Sequence, residues 1–228
     1  MAWSGAQLTG IVLGGGRSRR LGLSQSKLLI PIGGKMVLAR VADTLGQFCS
    51  ELVLVVRPDQ DDGVPDLGIA LGMHVVADTE TNSGPIAGIH AGLTVSTTML
   101  SFVIAGDHPF LSSSLVQAMA AAAAAAGSDP SPAVIPCSEG ALHPLHAVYP
   151  REPWLRYLAR LMTDGETSPR SAIELAISTG YPPVTIFTDD ELEQADPRHL
   201  SLMDIDTTEH LSTARQIVES RKSMPPRR

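Results

Sequence analysis

Four short stretches limit what this chain can fold into. Leu8-Thr9-Gly10-Ile11-Val12-Leu13, Glu51-Leu52-Val53-Leu54-Val55-Val56, Met73-His74-Val75-Val76 and Ser101-Phe102-Val103-Ile104-Ala105 are mainly apolar runs of strand length, rich in β-branched residues. The second has no polar residue after Glu51, the pattern of a strand covered on both faces. Between the first two, Val37, Val41, Leu45 and Phe48 recur at helical spacing. Strand, loop, helix and strand in that order fit a parallel pair joined by a right-handed crossover. The chain is therefore expected to build a mostly parallel sheet between helices.

The remainder extends this pattern. Residues 57–72, rich in Asp, Gly and Pro, read as a loop with room for one helical turn. Gly84-Pro85-Ile86-Ala87-Gly88-Ile89-His90-Ala91-Gly92-Leu93 has Pro85 near a helix start and small residues at helical spacing, which let a helix lie close to a sheet or to a ligand. Ser112–Ser114 can cap a helix that runs into the alanines Ala120–Ala126 and stops at Gly127 and Pro130. Ala133–Pro136 and Leu145–Tyr149 predict two strands about the turn Ser138-Glu139-Gly140, followed by helices near 152–163 and 168–179 and a last strand over 182–187. Thr207 caps a final helix, with Glu209 near its N-terminus. The expectation is one Rossmann-like α/β domain over residues 1–222, three layers with helices on both faces of the sheet, and a disordered tail over 223–228.

Charge and composition remove several classes of function. The formal net charge is −7, which offers no basic face for nucleic acid. No run approaches the ~18 apolar residues of a membrane span. Met1-Ala2-Trp3-Ser4-Gly5 lacks the basic and apolar regions of a signal peptide, so a cytoplasmic protein is expected. Cys49 and Cys137 have neither CxxC nor zinc spacing and read as reduced thiols. His143-Pro144-Leu145-His146 is rejected as a metal pair, because residues three apart on a strand point to opposite faces.

In this acidic chain, Leu13-Gly14-Gly15-Gly16-Arg17-Ser18-Arg19-Arg20-Leu21-Gly22, and then Lys27, make a basic, glycine-rich loop directly after the first strand. Glycines let the backbone approach a ligand and adopt positive φ cheaply, and N–H groups freed in such a loop can converge on phosphate oxygens. The loop lacks the Gly-Lys-Ser/Thr ending of a P-loop, and Arg19 stands where a dinucleotide fingerprint needs glycine. A small anionic ligand is expected.

The loop, Gly84-Pro85-Ile86-Ala87-Gly88, Gly106-Asp107-His108-Pro109-Phe110-Leu111, Pro144-Leu145-His146-Ala147-Val148-Tyr149 and Asp204-Ile205-Asp206-Thr207-Thr208-Glu209-His210-Leu211 occur in that order, over about residues 8–218. Together they resemble the molybdenum cofactor guanylyltransferases, within the wider nucleotidyltransferase superfamily. The resemblance implies that GMP from GTP is joined to the terminal phosphate of molybdopterin, with release of pyrophosphate and use of Mg²⁺. The acceptor phosphate is itself the nucleophile, so the protein supplies position and charge. Asp107 at a strand end suits Mg²⁺, which takes one or two carboxylates and leaves room for phosphate oxygens and water, and the resemblance assigns it that metal. Asp206 is the candidate second carboxylate, or else only precedes the helix cap. Lys27 and Arg20 are the candidate cations for the phosphates and the leaving pyrophosphate. Leu13, Gly14, Gly15, Gly16 and Gly84 are candidate nucleotide contacts, Gly84 having helix packing as its alternative. The resemblance implies Asp78 as a guanine reader, accepting from the N1–H and amino group. It puts His146 and Asp204 on the acceptor side, with a hydrogen-bonded core histidine as the alternative for His146. Handover of a labile cofactor makes a protein partner plausible.

Departures from the family pattern bear on substrate and on the placing of Lys27. Asparagines are usual in the segment that holds Asp204 and Asp206, and an asparagine is usual near the end of the second strand where Val55-Val56-Arg57-Pro58 stands, while the loop from Gly22 to Lys27 is about one residue longer and lacks the usual acidic residue before Lys27, which alters the geometry expected of that lysine. Cytidylyl transfer to the same acceptor, nucleotidyl transfer to a sugar phosphate, and a nucleotide-binding module without turnover therefore stay open. A glycosyltransferase would want Asp-x-Asp where Asp107-His108-Pro109 stands.

Overall fold

The computed structural model describes residues 8–16, 25–78 and 84–223. In chain order the strands are β1 (Leu8–Leu13), β2 (Pro31–Ile32), β3 (Lys35–Met36), β4 (Glu51–Val56), β5 (His74–Ala77), β6 (Leu100–Ala105), β7 (Ala133–Ser138), β8 (Ala141–Leu142), β9 (His146–Pro150) and β10 (Val184–Phe187). The helices are α1 (Val37–Leu45), α2 (Val64–Ala70), α3 (Gly84–Val95), α4 (Ser113–Ala125), α5 (Arg151–Thr163), α6 (Pro169–Thr179), α7 (Asp189–Ala195) and α8 (Thr208–Ser223).

The main sheet runs β10-β7-β9-β6-β1-β4-β5, with β8 paired to β7, while β2 and β3 form a separate ribbon. Strands β5, β4, β1 and β6 are parallel neighbours. Strand β9 runs antiparallel to both β6 and β7. The reversal follows from a short return rather than a helical crossover: Glu139 and Gly140, at φ 51° and 77°, turn β7 into β8.

Strand β1 sends Leu8 and Val12 to one face and Ile11 to the other, as a two-residue period requires. The first face packs against α1, α2, α4, α7 and α8, the second against α3, α5 and α6. This is the three-layer arrangement expected from the sequence. Helix α3 lies especially close to β1. A Cβ at Gly92 would sit 2.4 Å from Ile11 Cγ2, and one at Gly88 3.3 Å from Leu13 Cδ2, so the small residues at helical spacing serve this contact.

Two elements differ from expectation. Helix α2 occupies about two turns of the segment read as a loop; its first turn holds Pro65, and Val64 and Gly68 are buried, Gly68 against Leu54 and Val75. Helix α7 had no sequence assignment, although Thr188-Asp189-Asp190-Glu191 has the spacing of a capping box. Thr188 N–H donates to Glu191 Oε2 at 2.7 Å, and the reciprocal cap is present. Helix α8 reaches Ser223, the first residue assigned to the tail; residues 224–228 and Met1–Gly5 lie outside the described residues. Among the described residues no helix is long and apolar enough to cross a membrane.

Candidate active site

Because β5, β4, β1 and β6 are parallel, their carboxyl ends share one edge of the sheet, where ligands bind in open α/β folds. Gly14 follows β1, Arg57 follows β4, Asp78 follows β5, and Gly106 and Asp107 follow β6. Together with Leu13, Gly15, Gly16, Lys27 and Gly84, residues from these ends line a cleft of about 610 Å³.

Packing of a neighbour sets the position of Lys27. Leu28 is 4% exposed, and its methyl groups lie 3.2 Å from where a Cβ at Gly106 would be. Leu28 thus seats on the glycine that precedes Asp107, and the Lys27 ammonium meets the Asp107 carboxylate. Asp206 reaches the same ammonium from the far end of the chain. The fully buried Ile205 places it, its N–H donating to the Asp107 carbonyl at 3.1 Å. Burial works to lower the pKa of Lys27, but the charges of Asp107 and Asp206 and the hydrogen bonds to them together outweigh it and hold the group above the ordinary lysine value.

One oxygen of Asp107 faces Lys27; the other, Oδ1, is buried without a hydrogen-bond partner, His108 Nε2 standing 3.7 Å away. A buried carboxylate oxygen lacking a donor is costly unless a cation reaches it. Asp107 and Asp206, beside a cleft with room for phosphate oxygens and water, therefore fit Mg²⁺. Among the described residues no group of three or more His, Cys, Asp or Glu side chains could hold a metal, and the pair is Asp107 and Asp206.

The remaining candidates fall into place unevenly. Gly14 N–H donates to the Val55 carbonyl at 2.7 Å, and Asp78 N–H to the Val56 carbonyl at 2.8 Å, which fixes Asp78 on the cleft wall and Gly14 just before Gly15 and Gly16, which line it. Gly84 opens α3 at φ 62°, and a Cβ there would lie 2.7 Å from the Thr167 carbonyl oxygen, so glycine is required on both counts. Arg20, like Arg17 and Arg19, lies outside the described residues. His146 is 1% exposed on β9, edge-on to Phe102 and His108, and is absent from the cleft wall. Burial, then His108 and His143, hold its pKa well below the usual imidazole range. While Asp206 turns to Lys27, Asp204 pairs with α8, its Oδ1 lying 3.0 Å from His210 Nδ1.

The sequence did not single out Gln60, and it noted Arg57 only where the asparagine is missing. Arg57 lines the cleft and Gln60 is 8% exposed beneath it, and both donate to carbonyls of the glycine loop. Their sole sequence mark is their place just beyond a strand's carboxyl end.

Residues 10–180 match the family model described as the MobA-like NTP transferase domain. A relative from Desulfosudis oleivorans, named molybdenum cofactor guanylyltransferase, is 29% identical over 217 residues, 93% of this chain and 96% of that one. A Pelotomaculum thermopropionicum relative, named probable molybdenum cofactor guanylyltransferase, is 37% identical over 113 residues, 50% of this chain, and the match spans about half of that protein, 51%. The crystal structure of molybdopterin-guanine dinucleotide biosynthesis protein A from Archaeoglobus fulgidus superposes with a TM-score of 0.75 at 25% identity, over 93% of this chain and 99% of that one.

Proposed function

We propose, from the premise that the chain belongs to the MobA-like NTP transferase domain family, that it transfers GMP from GTP to the terminal phosphate of molybdopterin and releases pyrophosphate. The observation that carries this reading is the meeting of Asp107 and Asp206 on the ammonium of Lys27, with Lys27 and Asp107 lining one cleft together with Gly15 and Gly16. Asp107 and Asp206 would hold Mg²⁺, which when bound offsets the charge of the triphosphate oxygens. The glycine-loop N–H groups receive phosphate oxygens. Lys27, a charged ammonium in the cleft, stabilises charge on the departing pyrophosphate, with Arg20 as a second cation. Asp78 reads the guanine edge. An ionised acceptor phosphate needs no general base, so the residues contribute alignment and charge. Asp204 lies on the acceptor side, and His146 packs in the core, although its two buried ring nitrogens lack the hydrogen-bond partners that its alternative called for. On this reading one domain over residues 1–222 works in the cytoplasm and passes its product to a protein partner.

A second reading, cytidylyl transfer to the same acceptor, is favoured by Val55-Val56-Arg57-Pro58 standing where an asparagine is usual. Calorimetric titration with GTP, CTP, ATP and UTP, each with and without Mg²⁺, separates the two. Tight, Mg²⁺-dependent binding of GTP alone is expected. A preference for CTP would replace the guanylyl assignment, and binding of none of the four would remove the transferase reading.

A further inference from the structure

The loop after β4 grips the glycine loop by two of its carbonyls. Arg57 Nη1 donates to the Gly15 carbonyl at 2.5 Å, and Gln60 Nε2 donates to the Gly14 carbonyl at 3.0 Å. We propose that Arg57 and Gln60 are positioning residues that fix the glycine loop in its anion-accepting conformation; the inference rests on the nucleotide reading above. In a planar trans peptide the carbonyl of one residue and the N–H of the next point in opposite directions. With the carbonyls of Gly14 and Gly15 held on the Arg57–Gln60 side, the N–H groups of Gly15 and Gly16 are turned the other way. Both glycines line the cleft, and successive N–H groups facing one concavity bind an anion.

The grip is anchored rather than incidental. The buried carboxamide of Gln60 is engaged at both ends: Oε1 accepts from Arg57 N–H at 3.1 Å, and Nε2 also donates to Asp62 Oδ1 at 3.2 Å. That orientation of the amide satisfies its neighbours and the reverse would not. Asp62 Oδ1 in turn accepts from Val64 N–H at 3.2 Å, which ties the chain of hydrogen bonds to the first turn of α2. Arg57 packs its stem against the loop, since a Cβ at Gly15 would lie 3.3 Å from Arg57 Cγ. Three consecutive glycines left to themselves have wide conformational freedom, and ordering them would weaken phosphate binding. The clamp removes that cost before the ligand arrives.

The test uses Gln60→Glu, which keeps the size and the acceptor for Arg57 N–H but sets a carboxylate against the Gly14 carbonyl, and Gln60→Met, which removes the donor without charge. Arg57→Met and Arg57→Lys form a second pair in which lysine retains a donor. Calorimetry measures affinity for GTP, inorganic tripolyphosphate and guanosine, with thermal unfolding to confirm the fold. Tenfold or greater loss of GTP and tripolyphosphate affinity, unchanged guanosine affinity and partial recovery in Arg57→Lys relative to Arg57→Met are expected. Folded Gln60 and Arg57→Met variants that bind tripolyphosphate within twofold of the parent protein would overturn the clamp, as would an equal loss for guanosine. A parent protein that binds tripolyphosphate as tightly as GTP would instead defeat the nucleotide reading while leaving the clamp to stand on its tripolyphosphate result. Binding of neither by the parent would overturn both.

Discussion

Lys27→Met isolates what the lysine does before any substrate binds. Its ammonium lies between the carboxylates of Asp107 and Asp206, in a group whose side chains are 12%, 13% and 27% exposed. Methionine preserves the stem but leaves two carboxylates close together without their cation. Removing one partner of a buried ion pair costs ~3–5 kcal/mol. The cleft admits water, which screens part of that, so the expected loss is about 2 kcal/mol, or roughly 4–8 °C in melting temperature for a chain of this size. The same two carboxylates fit a divalent cation, which at a hundred times its dissociation constant would return about 2.7 kcal/mol. Urea unfolding of both proteins, in EDTA and in excess Mg²⁺, provides the comparison. The deficit of the variant should be large in EDTA and mostly gone in Mg²⁺, and the parent protein should gain less because its own ammonium competes for the carboxylates. A deficit that is the same in both buffers would refute the assignment of Asp107 and Asp206 as a metal pair, without any appeal to activity.

Two further outcomes follow from packing and burial. Gly92→Ala places a methyl 2.4 Å from Ile11 Cγ2 between α3 and β1, and overpacking of this kind should lower stability by ~1–3 kcal/mol; an unchanged urea midpoint would show that α3 can move off the sheet freely. His146 is held in its neutral form by burial, so the unfolded chain takes up its proton first. Its contribution is therefore complete above the unfolded value of about 6.5 and is lost as pH falls towards the depressed folded value. His146→Phe should flatten the decline in melting temperature between about pH 7.5 and pH 5, and parallel declines would contradict the burial argument.

The parts of the site that could be read from sequence are those attached to strand ends. Gly14–Gly16 and Asp107 each follow an apolar run, and such runs carry their own signal of length and β-branching. What brings Lys27 to Asp107 has no such signal. It depends on Leu28 filling the space over Gly106 and on Ile205 N–H reaching the Asp107 carbonyl, contacts between segments far apart in the chain. The direction of β9 was equally hidden, because Leu145–Tyr149 is apolar whichever way it runs. Gln60 stood in a polar loop that composition alone assigns to solvent, yet it is buried because its amide satisfies groups on three sides.

The aspartates at 204 and 206 carry the departure from the family pattern that bears most on the acceptor. Two extra negative charges facing an anionic acceptor would oppose its binding. The structure gives each of them a different partner. Asp206 is matched by Lys27, and Asp204 lies 3.0 Å from the His210 ring on the first turn of α8. Asp206 is thus held by the Lys27 ammonium and Asp204 stands against an imidazole on α8, and a divalent cation arriving with the triphosphate would find Asp206 already turned towards Asp107. Aspartate at 206 gives a metal a second anionic ligand where asparagine would offer a neutral oxygen. On the reading proposed above, the two aspartates thus shift charge towards the side of the cleft where a metal would be held, rather than towards the acceptor.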